Sequence, residues 1–202
     1  MRITILILTA ALLGGCVVLG QGDSQPGMKQ HDFGTPPEPL KETAARTGKV
    51  ALEIKTPEWL DNRGIKYRLS YADASQLREY TRSRWAGPPT QMIEQRLTQE
   101  LDLSTAGWGR AKCVLRLELS EFSQVFASPK DSMGVLQGKA LWLDANRQPL
   151  ADRPLSIGSP AATADAKGGI AALKTTIDRL AGELLDWERE LKTSGRIGGC
   201  FD

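Results

Sequence analysis

The chain has 202 residues, with 26 lysines and arginines against 24 aspartates and glutamates and a formal net charge of +2. This near-neutral balance gives no electrostatic basis for binding nucleic acid or an anionic surface. The length fits one ordinary domain preceded by a shorter segment, and it is sufficient to bury a hydrophobic core without metals.

The N-terminal stretch MRITILILTAALLGGCVVLG has the features of an export signal. Arg2 precedes an apolar run from Ile3 to Leu19, which is shorter than the roughly 20 residues of a membrane-spanning helix. LGGC at 13–16 resembles a bacterial lipobox, in which the chain is cut before the cysteine and the cysteine is acylated. We therefore predict a signal peptide at 1–15 and lipidation at Cys16. The alternative is an uncleaved signal anchor with an incidental cysteine.

Residues 16–49 are predicted to be a flexible tether between the lipid anchor and the domain. The sequence GQGDSQPGMKQHDFGTPPEPLKETAARTGK at 20–49 is rich in glycine and proline and poor in apolar residues. Within it, HDFG at 31–34 is a candidate for an ordered first strand. The folded domain is predicted over 50–202, and no second apolar run of spanning length follows the signal.

Alternating apolar residues predict the first strands of this domain. VALEIK at 50–55 and IKYRLSY at 65–71 both have the period of half-buried strands. In the second of these, the apolar face consists of Ile65, Tyr67, Leu69 and Tyr71. QLREYTRSRW at 76–85 is predicted as a third strand. Pro88-Pro89 then starts a helix that ends before Gly107.

The second half repeats the order of strands followed by a helix. CVLRLELSEF at 113–122 is predicted as a long strand with a bulge near Ser120-Glu121, where the apolar alternation changes phase. MGVLQGKALWLDA at 133–145 and PLSIGS at 154–159 follow as strands. A helix is predicted from about Asp165 to Lys192, because apolar residues recur three and four positions apart. These residues are Ile170, Leu173, Ile177, Leu180, Leu184, Trp187 and Leu191.

Strand hairpins with only two helices predict an α+β fold. We expect a largely antiparallel sheet with both helices packed on one face, in the order strands, helix, strands, helix. The regular spacing of the last helix leaves a coiled coil as the alternative to a helix docked on a sheet.

No catalytic motif is found, so we predict a protein that is not an enzyme and has no metal or cofactor. The sequence contains no G-x-S-x-G elbow and no Walker loop, and its cysteines are too far apart for a zinc site. The single histidine, His31, lies in the predicted tether, which argues against a Ser-His or Cys-His pair. A pair of hydrolytic carboxylates stays open from the sequence alone. Gly168-Gly169 either meets an anion or packs closely on a strand, and we favour packing.

One segment, YTRSRWAGPP at 80–89, is a candidate partner-binding site. It contains Tyr80, Arg82, Arg84 and Trp85, and these residue types are enriched at binding hot spots. The same types also pack a loop against a sheet edge, with arginine stacked on an aromatic ring. We favour this structural role over partner binding.

Cys113 and Cys200 are predicted to form a disulfide. Export places them in an oxidising compartment, and acylation of Cys16 leaves them as the one available pair. The alternative is a buried Cys113 that acts as a small hydrophobe beside a free terminal thiol.

Several segments in the expected order resemble the ABC-type transport auxiliary lipoprotein family. Besides the lipobox they are HDFG, IKYRLSYADASQLREYTRSRWAGPP, CVLRLELSEFSQVFASP and PAATADAKGGIAALKTTIDRLAGELLDW. The resemblance implies a non-catalytic, lipid-anchored component that faces the periplasm of a Gram-negative bacterium. It also implies association with a transport system that moves lipids between the inner and outer membranes. The implied partners are an MCE-domain protein and the permease and ATPase of an ABC transporter, with a homo-oligomer left open.

The residue after the lipidated cysteine bears on location. In such lipoproteins an aspartate there typically signals retention at the inner membrane, so Val17 predicts the outer membrane. Two other functions stay open at this point. One is a structural adaptor of the cell envelope, and the other is a periplasmic hydrolase that uses carboxylates.

Overall fold

The structure, a computed structural model, describes residues 27–35, 48–106 and 111–201. The elements are β1 (Lys29–His31), β2 (Val50–Lys55), β3 (Gly64–Leu69), α1 (Ser70–Asp73), β4 (Ala74–Trp85), α2 (Pro89–Glu100), β5 (Ser104–Thr105), β6 (Cys113–Phe126), β7 (Ser132–Leu143), β8 (Pro149–Pro160), α3 (Ala166–Thr193) and a 3-10 helix (Gly198–Cys200). The predicted signal peptide 1–15 and Cys16 lie outside the described residues.

All eight described strands belong to one mixed sheet, in which β6 is the central strand. β7 pairs antiparallel along one edge of β6. The other edge of β6 is shared by two parallel strands, β2 along its first half and β3 at its end. β4 pairs antiparallel with β3, and β8 pairs antiparallel with β7. β1 and β5 add short parallel pairings to β4 and β2.

The α+β class is therefore confirmed, while the prediction of a largely antiparallel sheet holds only in part. The longest pairings, β6–β7 and β7–β8, are antiparallel, but β1–β4, β2–β5, β2–β6 and β3–β6 are parallel. Short turns between neighbouring strands signal a hairpin in the sequence, whereas parallel strands that are distant in the chain carry no local signal. The described residues also include α1, a one-turn helix absent from the two-helix prediction.

α3 buries the apolar seam that its sequence spacing predicted. The predicted seam residues from Leu173 to Leu191 are buried and belong to the same core as the alternating leucines of β6, and Ile170 packs against it half-buried. The helix begins after Asp165, whose Oδ1 accepts a hydrogen bond from the Gly168 amide at 2.8 Å. It contacts β6, β7 and β8, so the sheet occupies its apolar face.

The glycine pair at the start of α3 is a site of close packing. A Cβ atom added at Gly168 would lie 2.0 Å from the carbonyl oxygen of Thr163. One added at Gly169 would lie 1.8 Å from Oε1 of Gln124. No side chain fits at these separations, which explains why this helix begins with two glycines.

α2 begins at Pro89 and adds its apolar face to the same core. Ile93 and Leu97 are fully buried there. The loop before β3 caps this helix, because Oδ1 of Asp61 accepts a hydrogen bond from the Thr90 amide at 3.0 Å.

The strand β3 ends earlier than the alternation of its apolar residues predicts. The chain turns after Leu69 into α1, and Tyr71 is 47% exposed instead of lying on the apolar face. Oδ1 of Asp73 accepts hydrogen bonds from the amide and the hydroxyl of Ser75, and this local turn returns the chain along β3. The predicted bulge in β6 is confirmed, since the β6–β7 register shifts between Leu119 and Glu121.

The described part of the predicted tether belongs to the fold. β1 pairs with the end of β4, placing Lys29 opposite Ser83. Just beyond it, Phe33 is only 5% exposed and belongs to the core. Gly34 has a φ of 72°, and its amide donates a hydrogen bond to Oδ1 of Asp32, forming the turn that leads the chain away.

Candidate functional site

Trp85, one of the four candidate binding residues, is part of the core. Its side chain is 1% exposed, and its ring stacks on Phe122 with the centroids 6.0 Å apart. The ring of Phe33, just beyond β1, packs edge-on against it. The main chain of Trp85 also forms two hydrogen bonds with Arg63. The Trp85 amide donates to the carbonyl of Arg63, and the Trp85 carbonyl accepts from Nε of Arg63. This side chain is therefore a packing element of the domain.

Tyr80 lies half-buried between the sheet and the start of α3. Its ring stacks on Tyr67 with the centroids 4.6 Å apart, and its hydroxyl donates a hydrogen bond to Oε1 of Gln124 at 2.8 Å. Burial raises the pKa of the Tyr80 hydroxyl above its usual range, and nearby Tyr67 and Asp165 add to the effect. The hydroxyl therefore stays protonated and acts as a donor.

Gln124 connects this tyrosine to β7. The side chain is fully buried, and its Nε2 donates to Oγ of Ser132 at 2.8 Å while its Oε1 accepts from Tyr80. A buried amide is stabilised when both of its ends are paired, as they are here. Gln124 was not identified from the sequence, because its partners come from distant elements.

A bulge in β4 separates the four candidate residues. Lys66 pairs with Glu79, and Gly64 pairs with Arg84. A step of two positions along β3 therefore corresponds to a step of five positions along β4. Such a bulge changes the phase of the strand. The bulged stretch leaves Arg82 exposed to solvent.

Arg84, at the end of this bulge, is half-buried. Its Nε is enclosed without a hydrogen-bond partner among the described residues. The structure therefore divides the predicted segment: Tyr80 and Trp85 pack inside the domain, Arg82 is exposed, and Arg84 is half-buried.

Arg96 forms a buried polar network that sequence reasoning missed. Its Nη2 donates to Oδ1 of Asp178 on α3 at 2.6 Å, and its Nη1 donates to the carbonyl of Thr35 at 3.2 Å. Its Nε lies 3.4 Å from Oε2 of Glu100. Only the i,i+4 spacing of Arg96 and Glu100 could have signalled part of this network. Arg96 thus joins α2 to α3 and to the segment that follows β1.

Glu100 is buried beside this arginine. Burial raises the pKa of its carboxyl, while the Arg96 guanidinium opposes that rise and the Asp178 carboxylate adds to it. A small cavity of about 120 Å³ lies next to the network, between α2 and the segment 32–34. Every charged group of the network has a charged partner inside the domain, so its role is structural.

The remaining candidates are metal-ligating side chains, a membrane-spanning helix and His31. In the part of the chain that the structure describes, no three His, Cys, Asp or Glu side chains are grouped to hold a metal ion. Over the same residues, no helix is long and apolar enough to cross a membrane. His31 lies in β1, half-buried, with its Nε2 enclosed.

Cys113 and Cys200 form the predicted disulfide, with their Cα atoms 5.3 Å apart. The C-terminal residues pack around it, because the ring of Phe201 lies 6.2 Å from that of Trp142 and beneath the Lys192 ammonium. The bond joins the start of β6 to the segment after α3.

Comparison with known proteins assigns the family. The family model for the ABC-type transport auxiliary lipoprotein component matches residues 34–184. The chain belongs to this family. The match covers both halves of the sheet and most of α3, so the resemblance noted in the sequence is confirmed.

Solved structures share the fold of this ABC-type transport auxiliary lipoprotein. The crystal structure of XCC0632 from Xanthomonas campestris, a DUF330 protein, superposes with a TM-score of 0.69 at 16% identity, covering 83% of this chain and 98% of that one. A second, an uncharacterized protein, gives a TM-score of 0.60 at 15% identity, covering 78% and 96%. At these identities the likeness concerns the fold alone. No curated protein matches the chain.

Proposed function

We propose that this protein is a lipid-anchored, non-catalytic auxiliary of an ABC-type system that moves lipids between the inner and outer membranes. The observation that carries the proposal is the family match over 34–184 in a chain whose N-terminus also has the pattern of a lipobox. ATP hydrolysis would belong to a partner, because the chain has no nucleotide-binding loop. The proposed partners are an MCE-domain protein and the permease and ATPase of the transporter.

The proposed anchor is an acylated Cys16, in the outer membrane and facing the periplasm. One acyl chain gives only marginal membrane binding, whereas the several chains of a mature lipoprotein give firm retention. Because β1 begins at Lys29, the segment from Cys16 to the sheet spans at most about 45 Å. The domain would therefore work close to the membrane surface.

The proposed partner contact uses the two arginines near the end of β4, of which Arg82 is exposed and Arg84 is half-buried. Arg82 and Arg84 would meet the partner, while Tyr80 and Trp85 hold the strand that carries them. The separation of roles follows from burial, since a side chain that is 1% exposed cannot reach a partner in the folded domain.

Co-purification tests this function. The tagged full-length chain is purified from membranes in mild detergent, and the eluate is analysed by mass spectrometry for proteins and lipids. We expect an MCE-domain protein together with transporter subunits. Replacing Arg82 and Arg84 by Ala should remove these partner proteins from the eluate without changing the melting temperature. The matched control Lys139→Ala on β7 should still co-purify with them.

Two other results would contradict the proposal. An eluate that contains only structural proteins of the envelope would favour an adaptor. Hydrolysis of a cell-wall substrate by the purified chain, abolished by substitution of a carboxylate, would favour a hydrolase.

A further inference from the structure

β4 has one open edge along most of its length. β3 pairs with one side of β4, and β1 pairs with the other side only at Ser83–Trp85. The carbonyls of Ala74 and Ser75 accept hydrogen bonds from Arg68. Between these two ends, no other described strand pairs with the stretch Gln76–Arg82. An unpaired edge presents main-chain donors and acceptors that can pair with another strand.

The other edges of the described sheet are short or blocked. β1 and β5 have three and two residues. β8 is long, but it contains Pro149, Pro154 and Pro160, which have no amide hydrogen to donate. Two of its carbonyls, those of Leu150 and Gly158, already accept hydrogen bonds from arginines of the C-terminal part. Among the described strands, the edge of β4 is thus the long one that stays open.

The side chains of β4 favour an acidic partner. The strand carries three arginines, Arg78, Arg82 and Arg84, and a single acid, Glu79. Glu79 is neutralised by an ion pair with Lys66 of β3. The excess positive charge attracts carboxylates and repels a second copy of the same edge, since like charges directly opposite destabilise strand pairing.

We propose that Gln76–Arg82 of β4 receives an extended acidic segment of a partner protein as an added strand. Main-chain hydrogen bonds would supply the affinity, and the arginines would select the acidic side chains. At the rise of a regular strand, the seven residues of the open stretch would span at most about 23 Å, and the bulge after Glu79 shortens that span. The inference rests on the proposed function for its partner and deepens it by giving the chemistry of the contact.

A labelled seven-residue peptide of alternating valine and glutamate is the probe. Its binding to the full, acylated chain in detergent is measured by fluorescence polarisation, with an otherwise identical valine–lysine peptide as the control. We expect the acidic peptide to bind and the basic peptide not to bind. Hydrogen exchange should slow at the amides of 76–82, because the added strand protects them.

Charge reversal locates the site. Arg78→Glu combined with Arg82→Glu should weaken binding of the acidic peptide at least roughly tenfold. Lys139→Glu on β7 with Arg189→Glu near the end of α3 makes the same change in net charge away from β4 and should alter binding by less than about twofold. Circular dichroism and the melting temperature establish that all variants are folded.

Three outcomes would overturn the inference: no binding of the acidic peptide, protection confined to other segments, or equal weakening by both pairs of substitutions. Concentration-dependent dimerisation through β4 would also overturn it, in favour of a second copy. If the charge-reversed protein still co-purifies with the transporter, the proposed function stands and the edge proposal fails. Loss of co-purification by the wild type itself contradicts the proposed function instead.

Discussion

Phe33 lies edge-on to Trp85, with the ring centroids 5.4 Å apart and the planes at 66°. Phe33 follows β1 and Trp85 ends β4, and Phe122 of β6 completes the cluster with centroids 6.2 Å and 6.0 Å from them. The N-terminal segment is thereby fixed to the central strand. A pull on the proposed lipid anchor would be transmitted into this cluster.

Phe33→Ala should lower the free energy of unfolding by about 3–5 kcal/mol, because it removes a buried ring from a close-packed cluster. Urea denaturation measures the change. Met28→Ala, at a residue that is 49% exposed, is the control and should leave stability nearly unchanged. Equal stability of Phe33→Ala and wild type would contradict the packing described for the N-terminal segment.

Substitution of two glycines of α3 by alanine should change the stability of the domain in opposite directions. Gly169→Ala forces the buried Gln124 away from Tyr80 and should destabilise the domain by about 1–3 kcal/mol. A Cβ at Gly182 meets nothing within 4 Å, so Gly182→Ala should stabilise the helix by about 0.5–1 kcal/mol. Chemical denaturation of both variants tests the pair, and a stabilising Gly169→Ala would be the contrary result.

Reduction of the Cys113–Cys200 bond should lower the melting temperature. The bond joins residues 87 positions apart, and the chain-entropy model gives about 4–5 kcal/mol for such a loop, as an upper figure. Alkylation of the denatured, unreduced periplasmic protein should modify neither cysteine. Two modified thiols, read by mass, would show that the bond does not form in the cell.

Glu100 and Asp165 should make opposite contributions to the pH dependence of stability. Burial raises the pKa of Glu100 in the folded chain above its ordinary 4.5, so stability falls as pH rises from that value through the raised pKa. Hydrogen bonds, first that from the Gly168 amide, lower the pKa of Asp165 below 3.8. Its contribution is complete above that value and is lost as pH falls through the lowered pKa.

The corresponding amides test these two signs. Glu100→Gln should remove a decline in stability toward neutral pH, so its advantage over wild type should grow from pH 4 upward. Asp165→Asn keeps the cap. It should remove the gain in stability that wild type acquires as pH rises through the lowered pKa toward 3.8. Urea midpoints measured across pH 2.5–7.5 give both differences. Parallel curves for wild type and either variant would refute the assigned cause.

Cys16→Ser tests the anchor. Without the thiol, the acyl chains cannot be attached, so the domain should be released from the membrane or remain as an uncut precursor. Membrane fractionation and gel migration of the tagged chain report both outcomes. A variant that fractionates and migrates like wild type would exclude lipidation at this residue.

The local part of the fold could be predicted from the sequence, and the non-local part could not. The three-and-four spacing of α3 and the phase change at Glu121 are properties of consecutive residues, and the structure has both. The parallel pairing of β2 and β3 with β6 depends on strands that meet after long excursions. No period in either strand encodes that meeting.

The same distinction holds for the candidate site. Aromatic and arginine enrichment identified the segment around Trp85, but it could not separate buried members from exposed ones. That separation depends on the bulge in β4 and on Phe33, which follows β1. The Arg96–Asp178 contact links two helices 82 positions apart, and only the folded chain brings them together.

The position of β6 has a consequence for the order of folding during export. β2 and β3 both pair with it, and the Glu53–Arg116 ion pair joins positions 63 residues apart. Neither strand can complete its pairing until β6 has emerged, and such long-range contacts make folding slow. Under the proposed export, the N-terminal half would therefore wait with β2 and β3 only partly paired, and the protein should depend on holding chaperones.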